Sequence, residues 1–310
     1  MRRRENLFPL ALPLITFLCG FILLGSRTGI FDLIRYPAQE EFIWALSVRS
    51  SFLSVVIFFG AIVLLFFLTL VTFVPFGQLT GRLMNKFPPL TGYTINIVGS
   101  LFGIWAFSAI CFLSVPPLHW FLMALLPCLW FLQRRRSVLL SSAVAAGICL
   151  GLLLLFEGDS LWSPYYRIDV DDVALGDVSA GGRDVPWGYR LIVNQDYHQK
   201  ALDLSPEFVG TYGHLSSDVE MAQHAYDLPY DFIDPSDVLI VGAGVGNDVA
   251  SALRHGATRV DAVEIDPVIA GVGGILHPDD PYGSPQVTVI VDDARTFFER
   301  SQREYDLIVS

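Results

Sequence analysis

Three glycines within five residues, Gly242, Gly244 and Gly246, point most directly to chemistry in this sequence. They follow the apolar run Asp237-Val-Leu-Ile-Val241 and precede a helix-like stretch from Asn247-Asp248 to His255. A glycine turn between strand and helix lets the backbone approach a ligand closely, and the helix N-terminus offers free N–H groups. Glu264 closes a second strand-like run, Arg259–Glu264, 22 positions after Gly242. A carboxylate there accepts two hydrogen bonds at once, as a pair of ribose hydroxyls would offer. A third run, Gln286–Val291, ends in Asp292-Asp293-Ala294-Arg295, and a fourth begins at Tyr305-Asp306. Neighbouring strand residues point apart, so one of Asp292 and Asp293 is expected to face the ligand. The glycine turn, Glu264 and Asp293 at successive strand ends line one edge of a parallel sheet, where such sheets bind ligands.

Other residues read as structural. Asn247 stands where the dinucleotide fingerprint has its third glycine, which argues against NAD. Asp266-Pro267 has the form of a helix N-cap and first helical residue. His198, His214, His224 and His277 show no metal-ligand spacing and are expected on the surface or in loops. Cys19, Cys111, Cys128 and Cys149 all sit in apolar stretches, with neither metal spacing nor a disulfide framework. No metal is expected.

The elements that must carry this site occupy the second half of a chain divided by charge. At 53% hydrophobic and 16% charged, the whole is too apolar for one soluble domain. Residues 1–156 hold four acids, Glu5, Asp32, Glu40 and Glu41, against eleven Lys and Arg; the other 27 acids lie in 157–310. The acidic second half argues against nucleic acid as a partner. Residues 7–25, 52–74 and 95–115 are long uncharged apolar runs, each long enough to cross a bilayer; 118–132, with Pro127, is shorter, and 138–156 is a fifth candidate. Met1-Arg-Arg-Arg4 resembles the charged start of a signal peptide, but no small-x-small site follows, so an anchor is expected. Ionisable groups are absent from the three strongest runs, which argues against a proton-coupled pump.

Orientation is pulled two ways. Arg2–Arg4, Arg82/Lys86 and Arg134–Arg136 favour the cytoplasmic side, and five crossings would then place 157–310 outside. A cytosolic nucleoside ligand favours the cytoplasmic side for 157–310. A segment 118–132 that dips and returns would reconcile the two, since its 15 residues reach about 22 Å as a helix. The expectation is therefore an integral membrane protein whose second half faces the cytoplasm.

Past Glu157-Gly-Asp-Ser, the stretch from Tyr165 to about Leu204 is β-like. Tyr166-Arg-Ile-Asp-Val alternates, Arg190-Leu-Ile-Val is compactly apolar, and Gly181-Gly182 and Pro186-Trp-Gly188 read as turns, predicting a small antiparallel sheet. Residues 205–235 are partly helical and end at Asp234-Pro235.

From Ser163 onward the sequence resembles the spermidine synthase (polyamine aminopropyltransferase) family. The resemblance rests on Ser163-Pro-Tyr-Tyr166, Leu191-Ile-Val-Asn with Gln199, Val238–Gly246, Val263-Glu-Ile-Asp-Pro267, Asp293-Ala-Arg295 and Tyr305-Asp-Leu-Ile-Val309. Pro75–Arg82 and Tyr93–Ser100 resemble bacterial proteins that fuse transporter-like helices to such a domain, which implies a bacterial inner membrane.

The resemblance implies a multi-span helical region over 1–156, a β-rich subdomain over 157–235, and an incomplete Rossmann-like domain of class I methyltransferase type over 236–310. It implies that decarboxylated S-adenosylmethionine or S-adenosylmethionine is bound by Gly242, Gly244, Gly246, Glu264, Asp293, Ala294 and Gln199. Glu264 would hold the ribose and Asp293 meet the adenine. The reaction would be aminopropyl transfer to a small amine, which must be neutral to attack. An oligomer is compatible with this.

The chain departs from the family at Val245, where an Asp is usual, and at Met221-Ala222-Gln223, where a Tyr-His-Glu run binds the amine. The family's catalytic Asp would follow Ser310, so the chain reads as an inactive fragment. Two alternatives stand beside this reading: an S-adenosylmethionine-dependent methyltransferase, and a non-enzymatic nucleoside sensor or a domain coupled to a transporter.

Overall fold

The computed structural model describes residues 6–28, 52–133, 135–156, 158–180 and 183–310. Arg2–Arg4, Arg134, Glu157 and the expected turn at Gly181-Gly182 lie outside the described residues. The chain divides into two compact units, one formed by residues up to Ile110 with Val115–Gly158, the other by Cys111–Ser114 with Asp159–Ser310.

The first unit is helical. A 3-10 turn, Phe8–Leu10, leads into α1 (Ala11–Arg27), followed by α2 (Phe52–Met84), α3 (Pro89–Phe112), α4 (Pro117–Leu132) and α5 (Arg136–Phe156). Among the described residues, four segments are long and apolar enough to cross a membrane: Phe8–Arg27, Val55–Met84, Pro89–Phe112 and Arg136–Phe156; α4 is shorter. α2 runs past the boundary expected at residue 74, with Pro75 inside it. Proline removes one backbone donor, and apolar spans tolerate this when neighbouring groups satisfy the freed carbonyl. α1, α4 and α5 share a core that includes Leu12, Leu125, Ala145, Ala146 and Cys149. Thr16 Oγ1 donates to the Ala145 carbonyl at 2.8 Å, joining α1 to α5.

The second unit begins with an antiparallel sheet in the order β1 (Leu161–Trp162), β2 (Arg167–Ala180), β3 (Arg183–Val193), β4 (Asp196–Leu202). Pro186-Trp-Gly188 is not a turn but lies within β3. The register shifts there, Val173 facing Gly188 and Ala174 facing Pro186, so Trp187 is the extra residue of a bulge. A bulge accommodates proline because the local ladder is already interrupted. Gly188 has φ +149°, and a Cβ there would run into the Ala201 carbonyl oxygen of β4. Trp187 is buried with Leu175, Val185, Leu202, Phe208 and Val219, which packs the sheet on α6 (Pro206–Tyr212) and α7 (Ser217–Asp227).

Beyond a 3-10 turn at Leu228–Asp231, strands and helices alternate: β5 (Asp237–Val241), α8 (Asn247–Arg254), β6 (Arg259–Glu264), α9 (Pro267–Leu276), β7 (Val287–Val291), α10 (Ala294–Arg300) and β8 (Leu307–Val309). The sheet is parallel in the order β7-β6-β5-β8. This is the order 3-2-1-4 with which doubly wound α/β folds begin. Val238, Ile240, Val260 and Ala262 face Val249 and Ala252 of α8, forming the core on that side.

Candidate functional site

Register brings the chemistry to one edge. Val241 pairs with Val263 and Glu264 with Val291, so β5, β6 and β7 end side by side. The residues that follow, Gly242, Ile265 and Asp292, therefore emerge at the carboxyl edge of the sheet. Gly242, Gly244 and Gly246 have φ of +70°, +57° and +105°, a region that side chains with a Cβ rarely adopt.

Glu264 is buried and ties this edge together. Its Oε2 accepts from the Gly244 N–H at 2.8 Å and its Oε1 from the Asp266 N–H at 2.9 Å. Each oxygen retains acceptor capacity, since a carboxylate oxygen has two lone pairs. Gly244 is held on its other sides as well. Tyr282 donates its hydroxyl to the Gly244 carbonyl at 2.8 Å. The Gln199 amide lies where a Gly244 Cβ would be, and Gln199 Nε2 is buried without a hydrogen-bond partner. Burial, and then the charges of Glu264 and Asp248, push the Tyr282 phenol well up, so it stays protonated and donating.

The small sheet reaches this turn through α8 and α9. Val245, where the resembled family carries an acid, is fully buried with Ile168, Leu191, Ala201, Ile269 and Val272. Asn247 makes a polar joint beside it. Its Oδ1 accepts from Leu202 N at 3.1 Å, and its Nδ2 donates to the Lys200 carbonyl at 2.6 Å and the Tyr226 hydroxyl at 2.8 Å. His277 completes the joint, with Nε2 3.0 Å from Asn247 Oδ1 and Nδ1 accepting from Asp279 N at 3.1 Å. These contacts require the neutral tautomer protonated on Nε2. Burial, helped by the charge of Arg254, lowers the His277 pKa to about 4. His277 lies in the loop after α9, as one of the two expected settings, but it is not on the surface: as the C-cap of α9 it is 4% exposed because it satisfies a buried amide. His198, His214 and His224 are exposed. Among the described residues no three His, Cys, Asp or Glu side chains are grouped as metal ligands.

Asp266 is the N-cap of α9, its Oδ1 accepting from Val268 N at 2.8 Å and Ile269 N at 3.2 Å. Ser163 donates its hydroxyl to Asp266 Oδ2 at 2.5 Å and accepts from Tyr166 N at 2.8 Å. Asp293 caps α10, accepting from Thr296 N at 3.0 Å, and Ala294 is the first residue of that helix. Asp292 turns elsewhere, accepting from Asp293 N at 2.9 Å and lying 3.7 Å from Arg300.

Gly242, Gly244, Gly246, Glu264 and Gln199 thus share one neighbourhood. Asp293 and Ala294 stand at the next strand end. Tyr282 and the Asn247–His277 pair were not marked by sequence as site residues, because their roles arise from partners 30 or more positions away.

Comparison with known proteins finds relatives that match parts of the chain. No family model matches the chain. The polyamine aminopropyltransferase of Korarchaeum cryptofilum is 30% identical over 79 residues, 24% of this chain and 25% of that protein. The enzyme of the same name from Leptospira biflexa is 24% identical over 154 residues, 49% of this chain and 46% of that protein.

The chain is similar to polyamine aminopropyltransferases.

It spans less than half the length of either relative. Among solved structures, spermidine synthase in complex with the transition-state analogue AdoDATO matches at 17% identity and a TM-score of 0.33, covering 48% of this chain and 45% of that one. The spermidine synthase of Thermotoga maritima matches at 18% identity and 0.33, covering 48% and 46%.

Proposed function

We propose that the second unit binds an adenosine thioether, decarboxylated S-adenosylmethionine in particular, and serves aminopropyl transfer to a small amine. The observation that carries the reading is the convergence on Gly244. Glu264 holds its N–H, and the Gln199 amide, whose Nε2 has no hydrogen-bond partner, lies over its Cα. A glycine turn with an acid at the next strand end suits a ribose, and an orphaned buried amide donor suits a polar group on the ligand. Gly242, open on the side a Cβ would take, leaves room for the ligand, Gly244 and Gly246 give the turn its positive φ, Glu264 accepts from the ribose, and Asp293 with Ala294 flanks the base.

In the reaction, the neutral amine nitrogen attacks the methylene carbon bonded to the sulfonium. The C–S bond breaks, its electron pair passes to sulfur, and the amine loses a proton as methylthioadenosine leaves. We read residues 1–156 as the bilayer anchor, 157–235 as the β-rich part that presents Gln199, and 236–310 as the nucleoside-binding part. Titration calorimetry of the full chain in detergent tests the reading, with methylthioadenosine, S-adenosylmethionine and its decarboxylated form. Binding with preference for the decarboxylated form is expected. No heat from any of the three, with folded protein, overturns it, and preference for the intact methionine carboxylate favours a methyltransferase.

A further inference from the structure

The helical unit fixes how the chain passes through a bilayer. At one end of the unit, Phe8 packs edge-on against Phe76 of α2 at 5.7 Å and Phe131 of α4 at 6.2 Å, and the Leu7 N–H donates to Gln78 Oε1 at 2.9 Å. At the other end, the Arg27 guanidinium lies 5.3 Å above the Phe156 ring. Between the two, Thr16 bonds to Ala145, and a Cβ on Gly20 would sit 3.4 Å from Leu152. The contacts advance together along both helices, so α1 and α5 run parallel.

α4 must therefore cross. Its start lies beside α3, with Trp120 5.4 Å from Phe107, and its end lies beside Phe8. At 16 residues it spans about 24 Å, less than the ~30 Å hydrocarbon core. Local bilayer thinning accommodates such a mismatch at modest cost. A segment that dipped and returned would leave α1 and α5 antiparallel, which the contacts exclude.

Crossing by all five helices gathers the basic side chains. Lys86 follows α2, and Arg135 and Arg136 join α4 to α5; all three are exposed at the end that carries Phe8. Among the described residues of the unit, Arg27 is the lone Lys or Arg at the other end. We propose that this basic end docks on the anionic lipid head groups of the cytoplasmic leaflet, and that the residues after Phe156 emerge on the opposite face of the membrane. Basic loops are retained on the cytoplasmic side, where anionic lipids attract them. This reverses the sidedness expected from a cytosolic ligand. It rests on membrane insertion and not on the nucleoside reading.

Reporters fused to Met1 or Ser310 of the whole chain test it. A fluorescent protein that matures only in the cytosol should light up at Met1, and a phosphatase active only outside should work at Ser310. Both ends on one side would overturn the crossing by α4. Ends on opposite sides in the reverse sense would overturn the leaflet assignment. Joint K86E, R135E and R136E changes should reverse or mix the orientation while helicity by circular dichroism stays unchanged; an unaltered orientation would also overturn it. Failure of insertion itself reads differently, as release of the chain by alkaline carbonate.

Discussion

The Gly244 N–H donates to Oε2 of Glu264 at 2.8 Å, joining the turn after one strand to the acid at the end of the next. Glu264→Ala should therefore loosen the turn as well as remove an acceptor for the ribose. Losing hydrogen bonds to a charged group costs about 1–3 kcal/mol, so affinity for methylthioadenosine should fall by roughly 5- to 150-fold. Glu264→Gln, which keeps one acceptor oxygen, should fall between. Unchanged affinity by calorimetry in both variants would show that Glu264 serves the turn alone.

Gly244→Ala separates binding from folding. The residue sits at φ +57°, which costs a side chain with a Cβ about 1–2 kcal/mol. The new methyl also meets the Gln199 amide, which ends a flexible side chain and can swing away. The melting temperature should drop modestly while ligand affinity falls by more than the folding loss accounts for. Equal losses in both would remove Gln199 from the site.

Acid should unlock the joint between Asn247 and His277. The folded pKa of His277, about 4, lies below its ordinary value of 6.5, so the unfolded chain takes up the proton first as pH falls. Stability from this histidine is complete above pH 6.5 and is lost between there and about 4, by about 3 kcal/mol in all. Asp306, whose carboxyl is held down by the backbone N–H groups of Asp237 and Ser236, adds a separate loss at lower pH. Thermal unfolding of the wild type and His277→Gln across pH 4–7 checks the first window. An equally steep pH dependence in the variant would assign it to another group.

Gly188→Ala should damage the fold rather than the ligand site. The added methyl would strike the backbone carbonyl of Ala201, which cannot move without parting β3 from β4. A loss of about 2–4 kcal/mol is expected from the overpacking and the φ of +149° together. Hydrogen exchange across β3 and β4 should rise, and protected amides there in the variant would contradict this.

What the sequence determined by itself is local chemistry. Three glycines after a buried strand leave few backbone options, and Asp266-Pro267 is both cap and first turn within its own segment. An uncharged apolar run of twenty residues declares a helix suited to lipid, whatever it packs against. Each of these follows from residues within a turn or two of one another. Tertiary structure decided what depends on distant partners. Trp187 became the bulged residue of a strand because β2 and β4 flank it, where Pro and Gly alone suggested a turn. His277 went inside because Asn247, 30 positions earlier, presents a buried carbonyl oxygen to it. Gln199 reached Gly244 only through the packing of Val245 among Ile168, Leu191 and Ile269. The apolar runs reveal that helices exist but not which way each points. The parallel course of α1 and α5 is set by Thr16, Gly20 and Phe8 finding their partners. Contacts between residues more than a hundred positions apart leave no local signature in the chain.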